Sequence, residues 1–350
     1  MAKERIGVMM DAFDPICQDH IRKAQSVLDA ADTDRVLMVQ LDRPSARAGF
    51  ASFEDRRKMT VAACSCDDRL LPLFPESVPR NALPSGMDDW LRSLKKEHAG
   101  ADLFVISAPN TPARMPELLS SHIRDSETLV GETDAFRLPV PVMEYCSVKG
   151  LYGLPERVPE AASWLDMLFP SMKPRRFAHS LSVAATARRL ALLHGISPEK
   201  AERAGLLHDC AKGYSLKEMQ HLARKHRLTE DQTMLESGEL LHSIVGAWVA
   251  ENRYDMKDPD VLEAIAYHNT GYPGMSRLAM CVALADSIEP LRRDYPMLSE
   301  IRALSDRSLE KGLLLSLERT ADYVLSGGKY LHPRTKETIN WLRAMVNAEE

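Results

Sequence analysis

The sequence predicts an α/β doubly wound domain followed by an all-α helical bundle. Three observations support this prediction. Short apolar strand patterns alternate with helical patterns in the first half, strand patterns fade after the segment KGLYGLPERVP, and histidines and aspartates recur on successive predicted helices in the second half. The chain has 350 residues, enough for two ordinary domains, and we place these at 1–165 and 171–350.

The first half alternates between strands and helices. RIGVMM, DRVLMVQL and ADLFVISAP have strand patterns, and the third is apolar on consecutive positions, as expected for a strand buried on both faces of a sheet. Helical patterns occupy about Asp19 to Ala30, FEDRRKMTVAAC and MDDWLRSLKKEH. This alternation favours a parallel, doubly wound sheet.

The second half is helical from Arg175 onward. HSLSVAATARRLALLHG has apolar residues at helical spacing and ends at Gly195, a residue type common just after helix ends. The next helix is predicted to begin with Ser197 as N-cap and Pro198 at its first position. The pattern continues through ELLHSIVGAWVAE, DVLEAIAYHNT and SRLAMCVALADSIE, which indicates a bundle.

Composition narrows the class of protein. The net charge of −5 is mild and gives no electrostatic reason to expect nucleic-acid or membrane partners. No stretch is apolar over the roughly 18 residues that a membrane span needs, and the start MAKERIGVMM does not resemble a signal peptide. The six cysteines form no C-x-x-C pair, so we expect reduced thiols in a cytoplasmic protein. A homodimer is left open.

Histidines and aspartates in the second half follow apolar runs on successive predicted helices. A polar group on an apolar helix face costs free energy unless it is paired or coordinates a metal. One such histidine is usually a core residue satisfied by a hydrogen bond, and we keep His194, His221, His226 and His332 in that class or on the surface. A larger ordered set, with one adjacent His-Asp pair, favours a site for divalent metal ions. Its members are His179, His208, Asp209, His242, His268 and Asp286.

The segments around these residues resemble the motifs of a known superfamily. RRFAHS, AGLLHDCAKG, ELLHSIVGA, YHNTG and LADSIEP, in this order, are similar to the motifs of HD-domain phosphohydrolases. The sequence from about Arg175 to Leu342 most resembles the YqeK-type symmetrical bis(5′-nucleosyl)-tetraphosphatases. The second domain is therefore expected to be an HD-domain helical bundle that hydrolyses phosphoanhydride bonds.

The resemblance also implies cofactors and residue roles. It implies two divalent metal ions, with iron as the metal, and Asp209 as their bridge. His179, His208 and Asp286 would complete the first ion's ligands, and His242 and His268 those of the second. Two ions so placed would neutralise phosphate oxygens and activate a water for attack on phosphorus. Asp209 and Lys212 would be catalytic, with Lys212 beside the substrate phosphate. Arg293 would face the phosphates, or else be an ordinary surface arginine.

The opening IGVMMDAFDPICQDH resembles the phosphate loop of nicotinate-nucleotide adenylyltransferases, and the likeness extends over about residues 5–150. The expected nucleotide-binding loop retains Phe13, Asp14, Pro15 and His20. Other positions depart from the family pattern, because Met10 and Asp11 replace loop glycines, Cys17 replaces a histidine and Asp19 replaces a glycine. The late I-S-S-T-x-I-R motif has no match, and EYCSVKGLYGLPERV, with Ser147 and Lys149, stands in its place. We expect a degenerate nucleotidyltransferase-like domain, with a working adenylyltransferase as the alternative.

Together these features predict a hydrolase whose partner is a nucleotide substrate. The expected reaction cleaves dinucleoside polyphosphates, most notably diadenosine tetraphosphate to two ADP. Three alternatives remain open at this point: an HD phosphohydrolase acting on another nucleotide, a bifunctional adenylyltransferase and hydrolase, and a non-enzymatic nucleotide sensor. The metal ligands set the reaction type but not the substrate, which the surrounding pocket selects.

Overall fold

The computed structural model describes residues 3–30, 33–41, 51–74, 92–109 and 138–348. The chain divides into two compact units, residues 1–159 and 160–350. The helix Ala161–Ser171 opens the second unit, so it extends across the gap between the two predicted domains. The predicted bounds 1–165 and 171–350 stay a prediction.

A four-stranded parallel sheet forms the centre of the first unit, with strand order β3-β2-β1-β4. Its strands are β1 (Arg5–Asp11), β2 (Arg35–Gln40), β3 (Leu70–Leu73) and β4 (Asp102–Ile106). Helices α1 (Gln18–Ala30), α2 (Phe53–Cys64) and α3 (Val140–Lys149) belong to the same unit, and residues 92–97 are also helical. The parallel sheet with intervening helices confirms the predicted α/β class.

The strand order changes direction at β1. This strand lies between β2 and β4, and Val8 pairs with both Leu37 and Val105. In open α/β sheets, ligands bind outside the carboxyl ends of the strands at such a reversal. The loop that follows β1 therefore lies where a nucleotide would be expected.

Apolar side chains of β1 and β2 form a buried cluster with Leu41 and with Leu94 of the helical segment 92–97. Its members are Ile6, Val8, Leu37, Val39, Leu41 and Leu94. The strand pattern of the sequence arises from this packing, because residues two apart on a strand point to the same face. The sequence prediction missed the short edge strand β3, and it placed no helix at Val140.

Helices make up the described part of the second unit, which confirms the predicted bundle. They are α4 (Ala161–Ser171), α5 (Pro174–Leu193), α6 (Pro198–Leu207), α7 (Leu216–His226), α8 (Gln232–Glu236), α9 (Gly238–Arg253), α10 (Pro259–Tyr267), α11 (Arg277–Ile288), α12 (Leu298–Ser305), α13 (Leu309–Ser326) and α14 (Pro333–Ala348). Within the described residues, no helix combines the length and the apolar composition needed to cross a membrane.

Local signals fix the ends of these helices. Ser197 accepts a hydrogen bond from the main-chain N–H of Lys200, with Pro198 at the first position of α6, as predicted. Gly195 follows the end of α5 with φ +65°, a conformation that glycine adopts without strain. Ser215 and Glu218 form a reciprocal capping box at α7.

Close packing of α5 on α6 brings their polar residues together. A Cβ atom on Gly205 would lie 2.7 Å from the Cα of Ala184, so only glycine permits this approach of the two backbones. The carboxyl end of α6, where His208 and Asp209 follow, therefore lies beside the amino-terminal half of α5, which carries His179. The sequence around Gly205 thus positions two of the predicted ligands.

Candidate metal centre

Five helices supply the six predicted metal ligands. His179 lies in the second turn of α5, His242 in α9 and Asp286 near the end of α11. The His208–Asp209 pair and His268 come directly after α6 and α10. Among these residues the histidines and Asp209 are buried, and the structure brings all six into one cluster whose donor atoms approach within 4.8 Å of one another in groups of three.

Asp209 lies at the middle of this cluster. Its Oδ2 atom is 3.4 Å from His208 Nε2 and 3.8 Å from His179 Nε2. Its Oδ1 atom is 3.2 Å from His242 Nε2 and 3.9 Å from His268 Nε2. Each carboxylate oxygen therefore faces a different pair of imidazoles, which is the arrangement a bridging carboxylate needs.

Asp286 completes one half of the cluster. Its Oδ1 atom lies 3.0 Å from His179 Nε2 and 3.8 Å from His208 Nε2. On the other half, the Nε2 atoms of His242 and His268 face each other at 3.1 Å. The donor atoms thus divide into a set of two histidines and two carboxylates, and a set of two histidines that share Asp209.

Partners on the far side of the rings orient three of the histidines. His208 Nδ1 lies 2.8 Å from the carbonyl oxygen of Gly205, and His268 Nδ1 lies 2.8 Å from that of Ile265. His179 Nδ1 lies 3.0 Å from Glu289 Oε1. A carbonyl or carboxylate oxygen there accepts a hydrogen bond from Nδ1–H, which fixes the ring proton on Nδ1 and leaves the Nε2 lone pair directed into the cluster.

The donor set fits divalent metal ions. The Nε2 atom of His208 is buried and has no hydrogen-bond partner among the described residues, although a buried polar atom normally has one. Imidazole nitrogen and carboxylate oxygen together suit iron, zinc or manganese. A cation between these atoms would satisfy His208 and separate the two facing rings of His242 and His268.

Electrostatics favour the metal-binding form of three of these donors, whereas for His179 burial opposes protonation but the hydrogen bonds with Asp286 and Glu289 raise its pKa. Burial and the neighbouring His208 and His242 lower the pKa of His268 to about 3, so this ring stays neutral. Burial alone would raise the pKa of Asp209, but His208 and His242 hold it well below its usual value. Burial likewise opposes ionisation of Asp286, and Arg292 and His179 hold its pKa well below the usual range.

Two arginines and one glutamate at this centre were missed by the sequence prediction. Arg176 Nη1 donates to Asp209 Oδ2. Arg292 donates to Asp286 Oδ1 through Nη2 and to the Asp286 carbonyl oxygen through Nε. The third residue, Glu289, orients His179. Arg176 and Glu289 lie in the motif segments RRFAHS and LADSIEP, and Arg292 lies two residues after the second, but only the fold shows which carboxylate or ring each one contacts.

Lys212 and Arg293 are the two residues predicted to contact the substrate. Lys212 lies in the turn after Asp209, and its Nζ atom is 2.8 Å from Glu239 Oε2. Glu239 lies three residues before His242 on the first turn of α9, so Lys212 is at the edge of the centre. Arg292, the residue before Arg293, contacts Asp286, and a phosphate contact of Arg293 stays a prediction.

The histidines left out of the predicted site have other partners or are exposed. His194 Nε2 lies 2.6 Å from the carbonyl oxygen of Ser305, and His332 Nε2 lies 2.9 Å from Asp231 Oδ2. His226 stacks on Trp248, and His221 is exposed.

The retained residues of the loop after β1 are mostly turned inward. Phe13 and His20 are fully buried and contact each other edge-to-face, and Pro15 is buried. The main-chain N–H of Cys17 donates to His20 Nδ1 at 3.1 Å, and His20 Nε2 lies 3.3 Å from Asp11 Oδ2. Both ring nitrogens of His20 are thus occupied by residues of this loop and of β1.

Asp14 and the late segment also have internal partners. Asp14 Oδ1 accepts from the Tyr152 hydroxyl and from the main-chain N–H of Ala51. Ser147 is buried in α3, and Lys149 Nζ lies 3.7 Å from Asp55 Oδ1. Asp14 Oδ2 is buried and has no hydrogen-bond partner among the described residues, so these internal contacts satisfy only part of the loop.

Comparison with known proteins agrees with this geometry. The HD domain family matches residues 176–291. A symmetrical bis(5′-nucleosyl)-tetraphosphatase of Halalkalibacterium halodurans is 35% identical over 178 residues, which cover 51% of this chain and 94% of that protein. A crystal structure of a predicted HD superfamily hydrolase involved in NAD metabolism from Clostridium acetobutylicum is 34% identical, covers 53% of this chain and 97% of its own, and superposes with a TM-score of 0.51.

A third relative combines two activities in its name. The probable nicotinate-nucleotide adenylyltransferase/Ap4A hydrolase of Mycoplasma genitalium is 26% identical over 204 residues, which cover 57% of this chain and 54% of that protein. Its name combines the two families that the two halves of this sequence resemble. Because the match to the Halalkalibacterium halodurans protein spans nearly all of that relative, the chain belongs to the HD-domain family of symmetrical bis(5′-nucleosyl)-tetraphosphatases.

Proposed function

We propose that the helical unit is a metal-dependent phosphohydrolase that cleaves dinucleoside polyphosphates, with diadenosine tetraphosphate cut to two ADP. One observation carries the proposal: Asp209 directs one carboxylate oxygen to the His179–His208 pair and the other to the His242–His268 pair. A bridged pair of cation sites is suited to phosphoanhydride hydrolysis, where both attacking and leaving oxygens carry negative charge.

The proposed cofactors are two divalent ions, with iron as the metal. His179, His208, Asp209 and Asp286 would hold one, and Asp209, His242 and His268 the other. Bound there, the ions would neutralise phosphate oxygens and lower the pKa of a water molecule. The protein's own contribution is to hold the ligands in a fixed, buried arrangement, in which Glu289 and two main-chain carbonyls orient the rings.

Lys212 supplies the local positive charge that the proposed reaction needs. Its Nζ atom lies at the edge of the centre and is bonded to Glu239, a residue whose side chain is 88% exposed. An exposed carboxylate is readily replaced by a substrate phosphate, because it keeps most of its hydration when the pair opens. Lys212 would then stabilise charge on the phosphate that is attacked.

We infer that the first unit is a degenerate adenylyltransferase-like domain. The second motif histidine, His20, is fully buried, and its two ring nitrogens face Cys17 and Asp11. A histidine held in this way has no free nitrogen for a nucleotide phosphate. Assembly as a homodimer and location in the cytoplasm remain predictions, and all six cysteines are unpaired.

Product analysis with a panel of nucleotides tests the proposed activity. The purified, iron-loaded chain is incubated with diadenosine tetraphosphate, other dinucleoside polyphosphates and mononucleotides. We expect ADP as the sole product of diadenosine tetraphosphate and slower reaction with the rest. AMP and ATP as products would contradict symmetrical cleavage. Faster hydrolysis of a mononucleotide would favour another phosphohydrolase, and binding without turnover would favour a sensor.

A further inference from the structure

Two guanidinium groups contact carboxylates of the metal centre. Arg176 donates to Asp209, and Arg292 donates to Asp286, so each contacts a different predicted ligand carboxylate. The two carboxylate oxygens concerned, Asp209 Oδ2 and Asp286 Oδ1, both face the His179–His208 pair. Each arginine side chain is nevertheless 36% exposed, so neither is sealed in the interior.

The placement of two cations beside a cation site is electrostatically unfavourable by itself. Because like charges repel, each arginine weakens the binding of a metal ion to the carboxylate oxygen that the arginine contacts. An anion that lies between the metal ions and the guanidinium groups offsets this repulsion, because it attracts both. A polyphosphate is such an anion, since it offers oxygens to both at once.

Guanidinium is also the cation best suited to a phosphate group. Its planar fork donates two parallel hydrogen bonds, whereas lysine offers a point charge. Other arginines of α5 have structural partners: Arg188 pairs with Glu202, and Arg189 with Asp306. Arg176 differs from both, because it lies three residues before His179 and therefore on the same face of α5 as that ligand.

Lys212 provides a third positive charge near the centre through a different partner. It contacts Glu239, which precedes His242 by three residues on α9, whereas Arg176 contacts Asp209 and Arg292 contacts Asp286. A polyphosphate bound at the centre would therefore meet cations that come from separate segments of the chain.

We propose that Arg176 and Arg292 bind the polyphosphate chain of the substrate on the His179 side of the centre. The inference rests on the proposed function and adds two substrate-binding residues to it. The competing role is structural: the same arginines would only orient Asp209 and Asp286 as metal ligands. The two roles differ in a measurable way, because a structural role changes metal content and a substrate-binding role changes affinity for phosphates.

The test compares Arg176→Gln and Arg292→Gln with the wild-type chain and with Arg189→Gln, a matched variant on α5. Elemental analysis gives the metal content, and calorimetry gives the Kd of the metal-loaded protein for ADP and for a non-hydrolysable methylene analogue of diadenosine tetraphosphate. We expect wild-type metal content in all variants. Loss of a charge-assisted hydrogen bond should raise Kd about 10-fold to 100-fold for Arg176→Gln and Arg292→Gln, with no change for Arg189→Gln.

The conservative variants Arg176→Lys and Arg292→Lys keep the positive charge. They provide the same test if the glutamine variants do not fold. We expect them to give Kd values between wild type and glutamine. Wild-type Kd in the glutamine and lysine variants would overturn the inference, and so would a loss of metal in proportion to the loss of binding. A wild-type chain that binds ADP but cleaves no dinucleoside polyphosphate would overturn the proposed function instead, while the Kd comparison would still decide the role of the arginines.

Discussion

At the scale of single residues, Asp209 connects the two halves of the centre. Its carboxylate is 2% exposed and lies within 4 Å of four imidazole nitrogens. The neighbouring His208 and His242 hold its pKa well below the usual range even though burial opposes ionisation. The group is thus held as an anion where two cations would share it, and neither set of ligands is complete without it.

We therefore expect Asp209→Ala to lose both metal ions and the hydrolytic activity. Metal content should fall from close to two ions per chain to near zero, and turnover should fall by more than roughly 100-fold, the upper end of the loss seen when outer partners of metal ligands are changed. Elemental analysis and ADP release measure these two quantities. Asp306→Ala removes an exposed carboxylate that pairs with Arg189 and serves as control. An Asp209→Ala protein with full metal content would refute the bridging role.

At the scale of elements, the crossing of α5 and α6 sets the distance between His179 and His208. The two helices approach closely at Gly205, where an added Cβ would meet the Ala184 backbone at 2.7 Å. A backbone atom cannot move away by a change of rotamer as a side chain can, so the helices must separate to admit a larger residue. The same separation would move His208 and Asp209, which directly follow α6, away from His179.

Gly205→Ala should accordingly destabilise the helical unit by about 1–3 kcal/mol, and weaken metal binding as well. Chemical denaturation and metal titration of the full chain measure the two effects. Gly246→Ala in α9 is the matched control, because its added Cβ would find ordinary contacts of 3.4 Å and beyond. This control should be neutral or slightly stabilising, since alanine favours helices more than glycine does. Equal effects of the two substitutions would contradict the close-packing argument.

The sequence predicted the long elements, and the residues that cluster at the centre, better than the short elements and the supporting contacts. The helices that carry His179 and His242 are long and periodic, and their ligands lie in ordered motifs. Strand β3 has four residues and includes Pro72, which is tolerated because β3 lies at the sheet edge. Arg176 and Arg292 could not be assigned beforehand, because their contacts with Asp209 and Asp286 join separate helices whose packing the sequence pattern does not give.

At the scale of the whole molecule, all six predicted ligands lie in the second unit. That unit begins with α4, where Trp164 is buried and lines a cavity of about 440 Å³ together with Arg203 and Tyr254. At the end of α4, the carbonyl oxygen of Ser171 would lie 1.9 Å from a Cβ on Gly213, the residue after Lys212. Helix α4 therefore supports the turn that carries Lys212.

A fragment of residues 160–350 is expected to bind metal and retain hydrolysis. A fragment of residues 172–350 keeps the same ligands but lacks α4, so it should be less stable and turn over more slowly. Thermal unfolding, metal content and ADP release of both fragments measure the difference. A folded, metal-loaded fragment 160–350 without activity, beside an active full chain, would mean that the first unit contributes to catalysis.

The first unit should not transfer adenylyl groups. Adenylyl transfer depends on positioning a polyphosphate and stabilising its charge. Asp11 at the end of β1 and Asp19 at the start of α1 place carboxylates on both sides of the loop where phosphate oxygens would lie. His20, the remaining histidine of the motif, is buried and already bonded to Asp11 and to the main chain of Cys17. Releasing it would expose the apolar contact with Phe13 and leave Asp11 without its imidazole partner.

We expect the Asp209→Ala chain to form no dinucleotide from ATP, magnesium ion and nicotinate mononucleotide. The Asp209→Ala substitution prevents the second unit from hydrolysing the dinucleotide, so chromatography would detect any that forms. Cys17→His with Asp19→Gly restores two positions of the family pattern and removes one carboxylate, so this double variant should gain ATP affinity if those residues block a phosphate site. Dinucleotide formation by the Asp209→Ala chain at an enzyme-like rate would show that the loop still works. In that case His20 must leave its buried position when ATP binds, because a ring bonded at both nitrogens has no lone pair or proton left to offer a phosphate.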